Sequence, residues 1–305
     1  MAGGSTQFEA DVQQAVQKIK GVYFPVKTGM VARLLTKKAA CRDLYPNPED
    51  EFCRPDIGPN DGIISSYEQQ FLANIRDGLY YFHDNEPIII EQLHPDGYMI
   101  INGHHRWAAA VKIGQPEIPV HVVNLMHEAD IREILRNTKH EKRATFDLDE
   151  VLVRSGDDPY LEKPLPAPWD KTYKVRIRLG VPALFHELEK SGYDIWLYSA
   201  NYPSADDVQE YFRLYHVNVS GVIAALGKRK AAAGGADLEK LMQGRYRSTL
   251  HIDNDMVLQI SSGMKEPREF PLSGAPETWS QEIIEVLEKL DGESEGRVRR
   301  YESFV

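Results

Sequence analysis

Cysteine is almost missing from this chain: Cys41 and Cys53 are the two in 305 residues. Two thiols cannot build a disulfide framework, and neither has metal-site partners at a usable spacing, so a reduced, cytoplasmic setting is expected. Long apolar runs are missing too. None reaches the ~18 residues of a membrane-spanning helix, so no membrane partner is expected. The opening "MAGGSTQFEADVQQ" lacks the basic and apolar segments of a secretory signal. Positive charge is in deficit, with 36 Lys and Arg against 46 Asp and Glu, a net charge of −10. The deficit is shared: residues 1–140 carry 14 against 18 and the remainder 22 against 28. A duplex-DNA binder needs lysines and arginines to displace counterions, so duplex DNA is an unlikely partner on charge alone.

What is present is an ordinary soluble composition, 42% hydrophobic and 27% charged, at a length that favours two domains. Apolar spacing predicts a helix over residues 8–20, then turn chemistry through "LYPNPEDEFCRPDIGPNDG" and a second helix over 64–77. "PIIIEQL" and "GYMIING" read as strands joined by a turn at Pro95-Asp96-Gly97. A helix from His104 to Ile113 stops at Gly114, and "IPVHVVNL" is a third strand. This is an α+β domain over residues 1–140, with "HEADIREILRNTKHEKR" as a helical connector at its end. From Ala144 strand and helix alternate: "ATFDLD", "VPALFHELEKSG", "DIWLYSA", "ADDVQEYFRLY", "VSGVIAAL", "KAAAGGADLEKLMQ", "TLHIDND" and "SQEIIEVLEKL". Such alternation predicts an α/β domain over 141–305 with a mostly parallel sheet, followed by a polar tail from Asp291.

In an open parallel sheet, ligands bind at the carboxyl ends of the strands. Asp147 and Asp149 stand where "ATF" gives out, Asp253 and Asp255 at the end of "TLHI", and Ser199 at the end of "IWLY". Oxygen-rich sites of this kind suit Mg²⁺ with a phosphate. The set resembles the haloacid dehalogenase-like phosphohydrolases over roughly residues 143–290, and the resemblance implies a Rossmann-like fold. Their D-x-D-x-[TV] motif is matched by Asp147-Leu148-Asp149-Glu150-Val151, their second-strand Ser/Thr by Ser199, and their later acidic strand end by "HIDND". By that resemblance Asp147 is the nucleophile that forms an aspartyl-phosphate and Asp149 the general acid/base. Asp253, with Asp255 and Asp149 as further candidates, would hold Mg²⁺ together with Asp147 and the Leu148 carbonyl. "LGKRKAAAGG" offers Lys228 and Lys230 for the family's lysine, with Lys230, beside the helix, preferred. The segments between these motifs leave no room for a sizeable cap domain.

The first domain poses a second phosphate question at "INGHHRWAAAVKIG". Gly103 permits a tight turn, the helix behind it offers free N–H groups, and His104, His105 and Arg106 add donors suited to phosphate oxygens. The segment resembles the ParB/sulfiredoxin-like fold over roughly residues 40–125. It is most similar to that fold's free serine kinases, which share Gly-His-His-Arg-Trp-Ala, read here as Gly103 to Ala108. Sulfiredoxin's cysteine is replaced by His104, and the Gly-Glu-Arg-Arg of ParB proper is absent. The kinase resemblance implies ATP or ADP as cofactor and a glutamate base in an upstream turn, where "YPNPEDEF" offers Glu49, Asp50 and Glu51, with Glu51 preferred. The expected protein is a bifunctional phosphoryl-transfer enzyme acting on a small phosphate ester or hydroxyl metabolite. Two alternatives stand beside it: polynucleotide end processing, and a phosphatase carrying a non-catalytic nucleotide-binding module.

Overall fold

Two units, Met1–Leu125 and Met126–Val305, make up the chain; the computed structural model describes residues 3–19, 21–224 and 234–302. The first unit opens with helix α1 (Gly3–Ile19), then strand β1 (Phe24–Pro25), helix α2 (Met30–Leu34), and strands β2 (Lys37–Ala40) and β3 (Leu44–Pro46). Helix α3 (Asp61–Arg76) leads to β4 (Ile88–His94), β5 (Tyr98–Asn102), helix α4 (His104–Lys112) and β6 (Glu117–Val122). The sheet runs β2-β6-β4-β5-β3, with β1 added against the end of β4. β4 and β5 pair antiparallel, whereas β4–β6 and β3–β5 are parallel.

Helix α4 sits where it does because its middle is small. Ala108, Ala109 and Ala110 are fully buried, which lets the helix backbone approach Ile88, Ile90, Ile100, Ile118, Val120 and Val122 in one core. Phe71 of α3 completes that core. Burying each large aliphatic or aromatic side chain contributes roughly 1.5–3 kcal/mol relative to exposure. β2 and β3 were not expected from the pattern. They are four and three residues long, and one lies in the proline-rich stretch, so neither shows the alternation that marks a strand.

The second unit begins with helix α5 (Glu128–Asn137), the segment expected to close the first domain. Its Ile131 and Leu135 are buried in the second unit's core, and the two compact units divide after Leu125. Next come β7 (Lys142–Asp147), a π-helical turn Leu148–Leu152, and a hairpin of β8 (Val153–Ser155) with β9 (Val175–Ile177), which encloses the short helix α6 (Trp169–Thr172). The chain continues through α7 (Val181–Lys190), β10 (Tyr193–Tyr198), α8 (Ala205–Leu214), β11 (Gly221–Ile223), α9 (Gly234–Arg245), β12 (Ser248–Ile252), β13 (Met256–Ser261), β14 (Arg268–Pro271) and α10 (Trp279–Glu302). The expected polar tail is instead the second half of α10.

The sheet order is β11-β10-β7-β12-β13-β14. β11, β10, β7 and β12 are parallel, and β13 and β14 extend the edge antiparallel. Helices cover both faces. Phe146 packs against Phe185 of α7 on one face, while Arg143, three residues earlier and therefore opposite, reaches Glu239 of α9. From β7 the chain steps outward to β10 and β11, then returns to the other side of β7 as β12. The direction of winding reverses between β7 and β12, which is where open sheets of this kind leave a crevice at their carboxyl ends.

Candidate functional site

The residues at that crevice are those the sequence put at strand ends. Asp147 is the last residue of β7 and is in register with Tyr198 of β10, so Ser199 follows one step beyond. Phe146 is in register with Ile252 of β12, which sets Asp253 level with Asp147 on the adjacent strand. Neighbouring strands lie about 4.8 Å apart, so the two backbones flank the switch point at close range.

Local hydrogen bonds fix these side chains. Asp147 Oδ1 accepts the N–H groups of Asp149 at 2.8 Å and Glu150 at 2.7 Å, which orients the carboxylate and leaves Oδ2 outside those bonds. Asp149 is turned the other way: its Oδ2 accepts from Ser199 Oγ at 2.6 Å, and Ser199 Oγ in turn accepts Asn201 N–H at 3.0 Å. Ser199 is fully buried. Asp253 Oδ1 accepts Asn254 N–H at 2.7 Å, and Asp255 is an exposed turn residue whose carbonyl accepts Leu272 N–H. Lys228 and Lys230 lie outside the described residues.

The four expected metal ligands are therefore not one cluster. Among the described residues no group of three or more His, Cys, Asp or Glu side chains could hold a metal ion. Asp149 is committed to Ser199, and Asp255 belongs to the β12–β13 turn. The Leu148 carbonyl accepts Val153 N–H within the π-helical turn. What remains is Asp147 and Asp253, one carboxylate from each side of the switch point. That donor set fits Mg²⁺, which keeps several waters and takes one or two carboxylates plus substrate phosphate, better than it fits a closed protein cage.

Beneath Asp147 the same sheet face is unusually polar. Arg143 is 1% exposed and donates to Glu239 at 2.6 Å, Thr249 at 3.0 Å and Tyr198 at 3.3 Å. Thr145 Oγ1 lies 2.6 Å from His251 Nδ1, and burial, then the Arg143 charge, holds that imidazole below its usual range.

In the first unit, Gly103 adopts a left-handed conformation (φ +101°) that ends β5 and starts α4. A Cβ there would lie 3.1 Å from Arg106 Nη2 and 3.2 Å from Ile88 Cγ1. Arg106 folds back beneath the turn and donates to the Glu86 carbonyl; burial holds its guanidinium below the ordinary arginine range. His104 is 3% exposed, stacks on Phe52 with ring centroids 5.3 Å apart, and accepts Asn47 N–H at Nε2 over 3.1 Å. Its proton therefore sits on Nδ1, which faces Asp50 Oδ1 at 3.7 Å. His105 accepts Asn60 N–H at Nε2 over 3.3 Å and packs edge-on against Phe52.

Both imidazoles thus hold the loop from Asn47 to Asn60 against the start of α4, a role that neighbouring sequence did not announce. Of the three acidic candidates it is Asp50 that meets His104, while also capping Phe52 N–H at 3.0 Å; Glu49 and Glu51 are exposed. Asp50 was legible only as one of three, because a 3₁₀ turn (Glu51–Cys53) decides which carboxylate points inward. The two cysteines are inert: burial pushes the Cys41 thiol up to about 11 and Cys53 up to about 12, far from thiolate formation.

No curated protein matches the chain. Residues 64–138 match the family model of the ParB N-terminal domain, a span that runs from α3 through the Gly103-His104-His105-Arg106 turn and on into α5 at the start of the second unit, and supports a ParB-like N-terminal part.

Proposed function

We infer that the second unit is a Mg²⁺-dependent phosphomonoesterase of the haloacid dehalogenase-like type. The observation that carries this reading is the pair Asp147 and Asp253, level with each other on the strands that flank the switch point. Asp147 Oδ2 attacks phosphorus while Oδ1 is held by two backbone N–H groups. The ester oxygen leaves with a proton from Asp149, giving an aspartyl-phosphate. Asp149, oriented by Ser199, then takes a proton from the water that releases phosphate. Mg²⁺ held by Asp147 and Asp253 would neutralise charge on the transferred group.

The test is hydrolysis of 4-nitrophenyl phosphate by Asp147→Asn and Asp255→Asn. Loss of about 10³-fold or more in the first, at the scale of removing a catalytic group, with near-native turnover in the second is expected. Wild-type-like turnover in Asp147→Asn overturns the assignment.

For the first unit the reading is nucleotide-dependent phosphotransfer to a hydroxyl, with ATP or ADP phosphates at the Gly103 turn and Asp50 in place of Glu51 as the base. What supports it is the N-terminal end of α4, where the helix dipole favours an anion, beside the His104–Asp50 pair. A second reading has an observation of its own: both imidazole Nε2 atoms already accept loop amides, which favours a binding module without chemistry. Phosphorus NMR with ATP or ADP, serine and other hydroxyl metabolites, run on Asp147→Asn so that product persists, separates them. A new phosphomonoester signal establishes the kinase; intact nucleotide with every substrate establishes the module.

A further inference from the structure

The turn that carries Asp253 and the turn that carries Asp149 belong to different strands, and side chains rather than the sheet tie them together. At the centre is Arg178, immediately after β9 and 6% exposed. Its backbone N–H donates to the Leu152 carbonyl at 2.8 Å, which fixes it to the end of the π-helical turn. Its Nη1 donates to Asn254 Oδ1 at 2.8 Å, and Asn254 Nδ2 donates to the Glu150 carbonyl at 3.4 Å. The guanidinium lies 4.1 Å from the centroid of the Trp279 ring, and Trp279 Nε1 donates to the Asp253 carbonyl at 2.9 Å. A single side chain therefore meets the residue after Asp253 and the aromatic ring that holds the Asp253 backbone, while its own backbone is bound to the turn containing Asp149.

Burying a guanidinium against a neutral amide and a ring is costly: among the described residues Arg178 forms no ion pair, and the Asp158 charge offsets only part of the lost hydration. Burial pushes Arg178 down to about 10, which is the same cost seen as a titration. Packing alone is served better by an apolar side chain of that length. The fork that bonds Asn254 while stacking on Trp279 is what only arginine supplies.

The geometry points to Arg178 as a positioning residue that clamps the Asp253 turn to the Asp147–Asp149 turn and so sets the spacing of the two carboxylates offered to a divalent ion. This rests on the phosphomonoesterase reading above. Arg178 touches neither carboxylate; it acts through Asn254 and Trp279.

The experiment is Mn²⁺ binding followed by electron paramagnetic resonance, on the full chain without substrate, in wild type, Asp253→Asn, Asn254→Ala, Arg178→Met, Arg178→Lys and the Asn254→Ala/Arg178→Met double variant. Asn254→Ala removes the turn's partner for Arg178 together with the Nδ2 bond to the Glu150 carbonyl while leaving Arg178 itself in place, so it carries the test even if Arg178→Met folds poorly. Expected are abolished binding in Asp253→Asn and about tenfold weaker binding in Asn254→Ala and Arg178→Met, the usual scale for groups that orient metal ligands. The double variant matches the worse single variant, and Arg178→Lys, which keeps a cation and one donor, falls between. Wild-type affinity in Asn254→Ala, with Asp253→Asn still abolishing binding, overturns the clamp and leaves the phosphomonoesterase reading standing. Wild-type protein with no Asp253-dependent Mn²⁺ site overturns that reading and the clamp with it.

Discussion

Gly221→Ala tests the packing that positions Ser199. Gly221 opens β11 in register with Trp196 of β10. A Cβ at that position would lie 2.5 Å from Trp196 Cε3 and 2.9 Å from Cη2, against the ~3.5–4.0 Å at which carbon atoms rest. Trp196 has no room to yield. It is fully buried, and its Nε1 donates to Tyr246 OH at 3.0 Å, which donates to Asp194 at 2.7 Å. Either the ring or β11 must move by about 1 Å, the upper range of overpacking, which costs ~3 kcal/mol. In a unit of this size that lowers the melting temperature by roughly 6–12 °C. Ser199 N–H donates to the Ile223 carbonyl of β11 at 3.0 Å, so a displaced β11 also loosens the Ser199–Asp149 contact and turnover falls alongside stability. Calorimetry of Gly221→Ala reads the effect, with Gly244→Ala as control. Gly244 lies in α9 with nothing within 4 Å of the added carbon, so alanine there is neutral or stabilising by up to ~1 kcal/mol. A Gly221→Ala melt within about 1 °C of wild type refutes the packing argument.

Further outcomes follow from other buried groups. Burial holds His251 below the ordinary imidazole range near 6.5, so the unfolded chain binds the proton first; stability present above pH 6.5 drains away as pH falls below it, at no more than ~1.4 kcal/mol per pH unit from this group. Denaturant titrations of His251→Asn should show a shallower loss between pH 7 and 5.5, and an unchanged slope excludes His251 as the source. Gly103→Ala forces a left-handed backbone on alanine and drives its Cβ at Arg106, costing roughly 1–3 kcal/mol; thermal melting reads the cost, calorimetric titration with ADP should show weakened binding, and a wild-type melt contradicts the strain. His104→Ala removes the acceptor for Asn47 N–H and the stack on Phe52, at about 2 kcal/mol. Amide hydrogen exchange should accelerate at Asn47 well before Asn60, which His105 holds; equal acceleration at both denies the separate anchoring.

Much of this molecule was readable because its signals are local. Helix α4 declares itself through Gly103, three alanines and Gly114, and the strand ends at Asp147, Ser199 and Asp253 each follow an apolar run. Elements defined by pairing stayed hidden. The β8–β9 hairpin consists of strands three residues long on either side of a proline-rich excursion, so no window shows alternation. Helix α5 looked like a linker because its apolar stripe says that it packs without saying on what; Ile131 and Leu135 go to the second core.

The sequence by itself determined which residue types stand at strand ends and helix starts, since turn chemistry and hydrophobic period act over a few residues. Only the tertiary structure decided which of them meet. Strand order put Asp253 beside Asp147 across the switch point, and a 3₁₀ turn chose Asp50 over Glu51. Folding brought Arg178, Asn254 and Trp279 together from positions about 75 and 100 residues apart along the chain. Contacts of that range depend on crossover direction and on which side chains exclude water from one another, and neither is written in any short stretch of the chain.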